Sequence, residues 1–504
     1  MRQTRSLTLV VALAIALSAV ALIVAASASL RWRYAHDSPL MIYAGFLVAG
    51  GSVPYRDFFD VNMPGTYFVM AAVGRVLGWD DFGFRAFDVF CLMSISVSTF
   101  LWMRRFGNLS ALAGSVAFPL WYLNGGPSMS LQREYIALVP FAGMLAVTTA
   151  DTGLTPRVRT IVAGVLAGMS AAIKPQFLLL SLPLLPLLIQ PGDSSAGWRR
   201  RTAGFLGGLL IPLGAMSVYL LFTGSLEPLV DMAVNYWPLY AGMTGGHTPI
   251  VGLPRLLYVV KSTGIGLATP YAPMAVVGLI AMGQDQTHSR YAWVLFGLLL
   301  ATALYPAMSG QFWLYHWLPF YYVALCAASL SARVVEIREW SAGVIAPALA
   351  LIVLLLVLSA TSVSHLRHGR DIQPPKGGVP DEISGFLRSH MNSGDAVQPL
   401  DWTGGAVHGM LMARAPLATR FMYDYHFYHH VSHPYIGKLR RDFIDELSVK
   451  RPRFIIEILQ DKGWPTGPDT TRQFPELQAF LEQHYAPAQQ DTRYRILQRI
   501  DGAP

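Results

Sequence analysis

Long apolar runs with few or no charges recur through the first three-quarters of this chain. A helical run of about 20 such residues matches the hydrocarbon core of a bilayer. The first, Ser6 to Leu30, holds 25 residues without a charge and follows Arg2 and Arg5. Its length exceeds the roughly 7–15 residue apolar core of a signal peptide, so it reads as an uncleaved first span. Further runs lie at Arg85 to Met103, Ser110 to Leu123, Glu134 to Ala150, Ile161 to Ile173, Phe177 to Ile189, Thr202 to Phe222, Gly264 to Met282, Tyr291 to Met308, Trp317 to Ala332 and Ser341 to Ala360. The sequence thus predicts eleven spans. The runs do not alternate residue by residue as barrel strands do, so the spans are expected to be helices. Composition agrees: Asp, Glu, Lys and Arg make up 13% of the chain, against about 25% in soluble domains.

Threading the spans alternately gathers Arg2, Arg5, Arg104, Arg105, Arg157, Arg159, Arg199, Arg200, Arg201, Arg290, Arg333 and Arg338 at one set of ends. Only Asp151, Asp193, Asp285, Glu336 and Glu339 oppose them there. Lys and Arg near span ends are retained in the cytoplasm. The N-terminus is therefore expected inside and, with an odd number of spans, everything after Ala360 outside. The formal net charge of +8 lies in these short loops, where orientation explains it without any nucleic-acid partner. Cys91 and Cys326 both fall in predicted spans, so no disulfide framework is expected.

Three polar stretches break the rhythm of spans and short loops: Arg31 to Asp81, Thr223 to Thr263, and the tail from His365. The first loop carries two apolar segments too short to span, Leu40 to Ala49 and Thr66 to Leu77, expected to lie along the membrane surface. The tail alternates helix and strand: helices at Asp381 to Met391, Tyr435 to Val449 and Pro475 to His484, strands at Ala396 to Leu400, Arg453 to Leu459 and Arg493 to Gln498. Phe454, Ile455, Ile456 and Ile458 form the continuous apolar run of a strand covered on both faces. The expected fold is mainly α: a polytopic helical membrane domain over residues 1–363, a linker over 364–380 punctuated by Pro374-Pro375-Lys376-Gly377-Gly378, and a small extracytoplasmic α/β domain over 381–504.

The chemistry-bearing residues collect at the outer span ends. Asp37, in His36-Asp37-Ser38-Pro39, follows the first span and sits where a carboxylate can serve as general base on a hydroxyl at the membrane surface. An interfacial charge is the plainer reading. Farther along, Val53 to Gly65 concentrates Arg56, Asp57, Asp60 and Asn62 among aromatics and turns at Pro64-Gly65. Arg133-Glu134 enters the fourth span, where an ionisable pair is costly unless paired or functional. Lys174, in the turn between the fifth and sixth spans, offers a cation to a phosphate. Tyr315-His316-Trp317-Leu318-Pro319 is an aromatic cluster in which His316 is placed to hydrogen-bond a headgroup, although interfacial aromatics are commonly anchors. His426, His429, His430 and His433 would share a face and could bind zinc if their segment were helical, but Pro434 and the crowded aromatics speak against a helix, and the stretch reads as readily as an aromatic patch against the membrane or the acceptor.

In order and topology these stretches resemble the GT-C superfamily of membrane glycosyltransferases. The resemblance is to the group around family 39: protein O-mannosyltransferases, the lipid A aminoarabinose transferase, and RgtA/RgtB-type lipopolysaccharide-core sugar transferases. It rests on Asp37 after the first span, Gly51-Ser52-Val53-Pro54-Tyr55-Arg56-Asp57-Phe58-Phe59-Asp60, and Tyr315-His316-Trp317-Leu318-Pro319, and covers essentially the whole chain. It implies a bacterial inner-membrane enzyme that transfers a hexosyl or pentosyl group, with inversion, from a polyprenyl-phosphate donor to a hydroxyl of an envelope glycan, lipid or protein. Asp37 matches the family's acid–base residue, with Glu134 a secondary catalytic contributor. His36, Arg56, Asp57, Asp60, Asn62, Arg133, Lys174, Tyr315 and His316 are the implied substrate contacts. Relatives often carry Lys before the proline that closes the first-loop motif, where Asn62-Met63-Pro64 stands here, so donor-phosphate contact is expected from Arg56, Lys174 or His316. No cofactor is assigned, and a divalent cation stays open. The alternative from another class is a transporter or flippase of lipid-linked or envelope substrates. Against it stand the absence of an internal repeat and the gathering of charge at outer span ends rather than mid-bilayer.

Overall fold

The computed structural model describes residues 2–150, 153–188, 194–283, 288–333, 342–368 and 372–500. Asp151, Asp193, Asp285, Glu336, Arg338 and Glu339, which entered the orientation argument, lie outside them. The chain divides into two compact units, one of residues 1–32, 85–216 and 258–371, the other of residues 33–84, 217–257 and 372–504.

The first unit is helical. Among the described residues, six helices are long and apolar enough to cross a membrane: α1 (Arg2–Ser29), α4 (Asp81–Met103), α7 (Pro156–Ile173), α10 (Ser195–Phe222), α15 (Ser289–Ser309) and the helix Ala342–His368. Large apolar side chains on them remain exposed, among them Leu9 at 69% and Ile23 at 66%, as suits surfaces facing lipid rather than water. The protein is an integral membrane protein.

The span expected over Gly264 to Met282 is instead a bent pair, α13 (Gly252–Leu267) and α14 (Tyr271–Gly283), meeting at 65°. Pro270 has no N–H for the helical ladder and disfavours helical geometry at Thr269, so the chain turns there. The four remaining expected spans are also helical, but shorter. They fall in α5 (Asn108–Asn124), α6 (Arg133–Thr149), α16 (Leu318–Ser329) and a run comprising α8 (Phe177–Ser181), a 3₁₀ turn at Leu182–Leu184 and α9 (Leu185–Leu188). Pro183 and Pro186 punctuate that last run.

Glycines set the closest helix approach. A Cβ on Gly164 of α7 would lie 2.0 Å from the Phe205 carbonyl oxygen of α10, and one on Gly208 would lie 2.1 Å from that of Ile161. Small residues let backbones touch where the surrounding solvent supplies no hydrophobic drive. Sequence reading missed a buried pair in α4. Arg85 Nη1 lies 3.6 Å from Asp88 Oδ2, and Asp88 also accepts from the Tyr122 hydroxyl at 2.5 Å.

The second unit joins the first loop, part of the middle stretch and the tail. The two short apolar segments form α2 (Ser38–Ala49) and α3 (Pro64–Leu77). They meet so closely that a Cβ on Gly45 would lie 2.4 Å from Met70 Cβ. The middle stretch supplies two short helices, α11 (Leu226–Asn235) and α12 (Trp237–Ala241). The tail carries a mixed sheet in the order β1 (Val397–Leu400), β2 (Phe454–Ile458), β4 (Tyr494–Arg499), β3 (Tyr485–Gln490). β1 and β2 are parallel, with Val397 opposite Phe454, and the other pairs are antiparallel. Helices Val379–His390, Pro434–Lys450 and Pro475–His484 match the expected ones within a few residues.

Two elements of the tail were not anticipated. The helix Ala406–Ala413 is short and carries Gly409, which leaves little periodicity to read. β3 contains Pro487 and a register shift beside it, and its pattern is mostly exposed, all marks of an edge strand. The His-rich segment is not a helix, as only Tyr425–Phe427 forms a 3₁₀ turn, so the shared His face that zinc binding would have needed does not form. His426 and His429 are buried among aromatic rings instead, and the described residues contain no metal-holding group of three or more His, Cys, Asp or Glu. Burial lowers the His429 imidazole to about 3.

Candidate active site

The local sequence places Asp37 with care. His36 adopts a left-handed backbone (φ 56°), and Asp37 follows as the N-cap of α2. An N-cap Asp ordinarily accepts from the second or third amide of its helix. Here Pro39 occupies one of those positions without an N–H, and the Asp37 side chain makes no capping bond. Its Oδ1 instead lies 3.0 Å from His36 Nδ1. The carboxylate thus spends no bond on the helix amides, although it stands at the positive amino end of the helix.

His247, from the middle stretch, belongs to the same neighbourhood. Burial holds its imidazole below the ordinary value, and His36 adds to that, whereas Asp37 acts the other way. Its ring packs edge-on to Trp402 at 4.8 Å, and the Tyr425 hydroxyl lies 3.4 Å from its Nδ1. Beside His36 opens a cavity of about 190 Å³, lined also by Tyr34, Lys376, Thr403 and His408. Asp401 on its wall is committed to structure, accepting the backbone N–H groups of Gly404, Gly405 and Ala406 at 2.8–2.9 Å.

The rest of the first-loop motif is a lock. Phe59 donates its N–H to the Arg420 carbonyl at 2.6 Å, laying the loop along the tail. Asp60, 4% exposed, accepts from the Tyr67 hydroxyl (2.8 Å), the Tyr423 hydroxyl (3.0 Å) and the Asn62 amide (2.8 Å). Asn62 in turn offers its carbonyl to Tyr55 and Tyr67. Arg56 and Asp57 form a two-pronged pair (2.8 and 2.9 Å), and the Arg56 hydrogen bonds hold the Asp57 carboxyl below its usual range. Asp60→Ala would take the acceptor from the buried Tyr423 hydroxyl and from the Asn62 amide, while the Tyr67 hydroxyl keeps the Asn62 carbonyl; each unmet group costs about 1–3 kcal/mol. We expect a loss of roughly 2–4 kcal/mol in thermal unfolding, with Asp60→Asn milder because one acceptor oxygen survives.

Within the first unit, the other predicted residues gather around Glu134 at the start of α6. Its carboxylate is fully buried, and Oε1 lies 2.8 Å from Lys174 Nζ and 3.0 Å from the Tyr305 hydroxyl. His316 Nε2 stands 3.9 Å from the same oxygen, in the 3₁₀ turn Leu314–Trp317 that leads into α16. Tyr315 packs edge-on to the His316 ring at 4.7 Å. Arg133 adjoins Glu134 and adds positive charge there. The described structure thus brings the sequence candidates together as His36–Asp37, Arg56–Asp57, Asp60–Asn62, and Glu134 with Arg133, Lys174 and His316. Sequence reading did not single out His247, Lys376, His408 and Tyr305, which sit in the middle loop, the linker, a part of the tail given no element, and a span.

This architecture joins a helical membrane part, long polar loops and a small terminal sheet, and it is shared with solved structures. At a TM-score of 0.63 the chain is similar to the crystal structure of ArnT from Cupriavidus metallidurans bound to undecaprenyl phosphate, with 11% identity over 97% of this chain and 98% of that one. The apo state of the same protein gives 0.61, with 13% identity and the same coverage. The Archaeoglobus fulgidus oligosaccharyltransferase tethered to an acceptor peptide follows at 0.48, with 10% identity over 88% of this chain and 69% of that one. No family model and no curated protein sequence matches the chain.

Proposed function

We propose that this protein transfers a sugar, with inversion, from a polyprenyl-phosphate donor to a hydroxyl of a cell-envelope acceptor on the outer face of the membrane. The observation that carries this reading is Asp37. Its carboxylate makes no bond to the helix it caps and is paired with His36, which lines a small cavity together with Lys376. The fold likeness to a protein crystallised with undecaprenyl phosphate supports a lipid-phosphate donor.

In this mechanism, Asp37 takes the proton of the acceptor hydroxyl as its oxygen attacks the anomeric carbon. The bond from that carbon to the donor's phosphate oxygen breaks, and the electron pair leaves with the phosphate. One displacement gives inversion, through a transition state with oxocarbenium character. His36 orients the base, and Lys376 supplies positive charge for the departing phosphate, the kind of stabilisation that usually dominates catalysis. The acceptor is lipopolysaccharide, another envelope glycan, a lipid or a protein. Fold does not choose among them.

Purified protein in vesicles carrying a radiolabelled polyprenyl-phosphate sugar tests the proposal. Label should appear in an envelope-extract acceptor while an equal amount of polyprenyl phosphate is released. Label that crosses the bilayer still joined to its carrier would overturn enzymatic transfer in favour of transport.

A further inference from the structure

A groove of about 860 Å³ runs between α7 and α10, lined by none of the residues placed in the site above. Its mouth is formed by Arg157, Arg200 and Arg201, and among the described residues lining it there is no carboxylate. Its floor is small or aliphatic: Gly204, Gly207 and Gly208 of α10, with Ile161 of α7 facing them. The spacing explains the shape. Arg200, Arg201, Gly204, Gly207, Gly208 and Ile211 follow a three-to-four-residue rhythm, so one face of α10 carries cations at its amino end and glycines below them.

Retention of positive charge on one side of a membrane accounts for arginines at these helix ends in any polytopic protein. It does not account for a groove beneath them. Gly164 and Gly208 are needed for helix contact, but a Cβ on Gly207 would meet nothing within 4 Å. That glycine leaves room rather than closing it. A cationic mouth above a narrow apolar channel is complementary to a phosphodiester with an acyl chain attached. Guanidinium groups fork onto phosphate oxygens, and basic pockets between spans are known sites for anionic lipid head groups.

We propose that this groove binds one anionic phospholipid of the surrounding membrane, its phosphate held by Arg157, Arg200 and Arg201 and an acyl chain lying along the glycine floor.

Native mass spectrometry of the full-length protein, equilibrated with equimolar phosphatidylglycerol and phosphatidylcholine, tests this directly. Wild type should retain phosphatidylglycerol about tenfold more than phosphatidylcholine, and the preference should fall at high salt as charges are screened. Arg157→Gln combined with Arg200→Gln should abolish the preference. Gly207→Leu, which fills the channel and leaves the arginines in place, should reduce retention of either lipid. Equal retention of both lipids by wild type would overturn the proposal. So would an unchanged preference in the double variant, unchanged retention in the Gly207→Leu protein, or displacement of phosphatidylglycerol by stoichiometric polyprenyl phosphate. Should a variant fail to purify as a monodisperse species, the wild-type preference and its salt dependence decide alone.

Discussion

Asp37→Asn should lower sugar transfer by about 10²–10⁴-fold, the range a positioned general base contributes, while the protein inserts and unfolds as wild type does. The stability half follows from the geometry. Asp37 caps α2 by position only, with no side-chain bond to the helix amides, so the amide isostere removes no structural hydrogen bond of that kind. What it removes is the charge facing His36 Nδ1 at 3.0 Å. His36→Gln should be milder, because it leaves the base and weakens only its orientation. The measurement is single-turnover release of polyprenyl phosphate, with thermal unfolding run in parallel. Near-normal transfer by Asp37→Asn would remove Asp37 from the chemistry.

The membrane part was legible because its determinants are local. A run of apolar residues is visible wherever it occurs, and each of the eleven expected spans corresponds to helical structure. Proline chemistry explains where continuity failed, at Thr269-Pro270 and around Pro183 and Pro186. Asp37, Glu134, Lys174 and His316 were legible as candidates because ionisable groups at the ends of apolar runs stand out. Their partners were not. Tyr305 lies 171 positions from Glu134 and reads as one more aromatic in a span. His247 and Lys376 sit at positive φ in turns, where composition suggests only a change of direction. Lys376 in particular follows two prolines and precedes two glycines, so the sequence marks a linker while the structure makes it a cavity wall. Asp60 shows the converse. A conspicuous acid in a motif-rich loop is spent on tyrosine hydroxyls and an amide that tie the loop to the tail.

The second large effect concerns Glu134, where charge and fold are joined. Its carboxylate is 0% exposed and Lys174 only 13% exposed, at a separation of 2.8 Å. Removing one member of a buried pair leaves the other charge uncompensated and costs about 3–5 kcal/mol. Glu134→Ala should therefore destabilise the protein by about that amount, read as a fall in unfolding temperature in detergent. Replacing both partners avoids the stranded charge, because a buried pair exchanged for groups of similar size is often neutral or better. The double variant Glu134→Gln with Lys174→Met should accordingly return to within about 1 kcal/mol of wild type, since the introduced amide oxygen can still accept from the Tyr305 hydroxyl. Transfer activity in that stable double variant separates two roles. Activity restored along with stability makes Glu134 a structural partner of Lys174. Stability restored without activity makes the charges themselves part of the transfer chemistry, with Lys174 a cation for the donor phosphate in its own right.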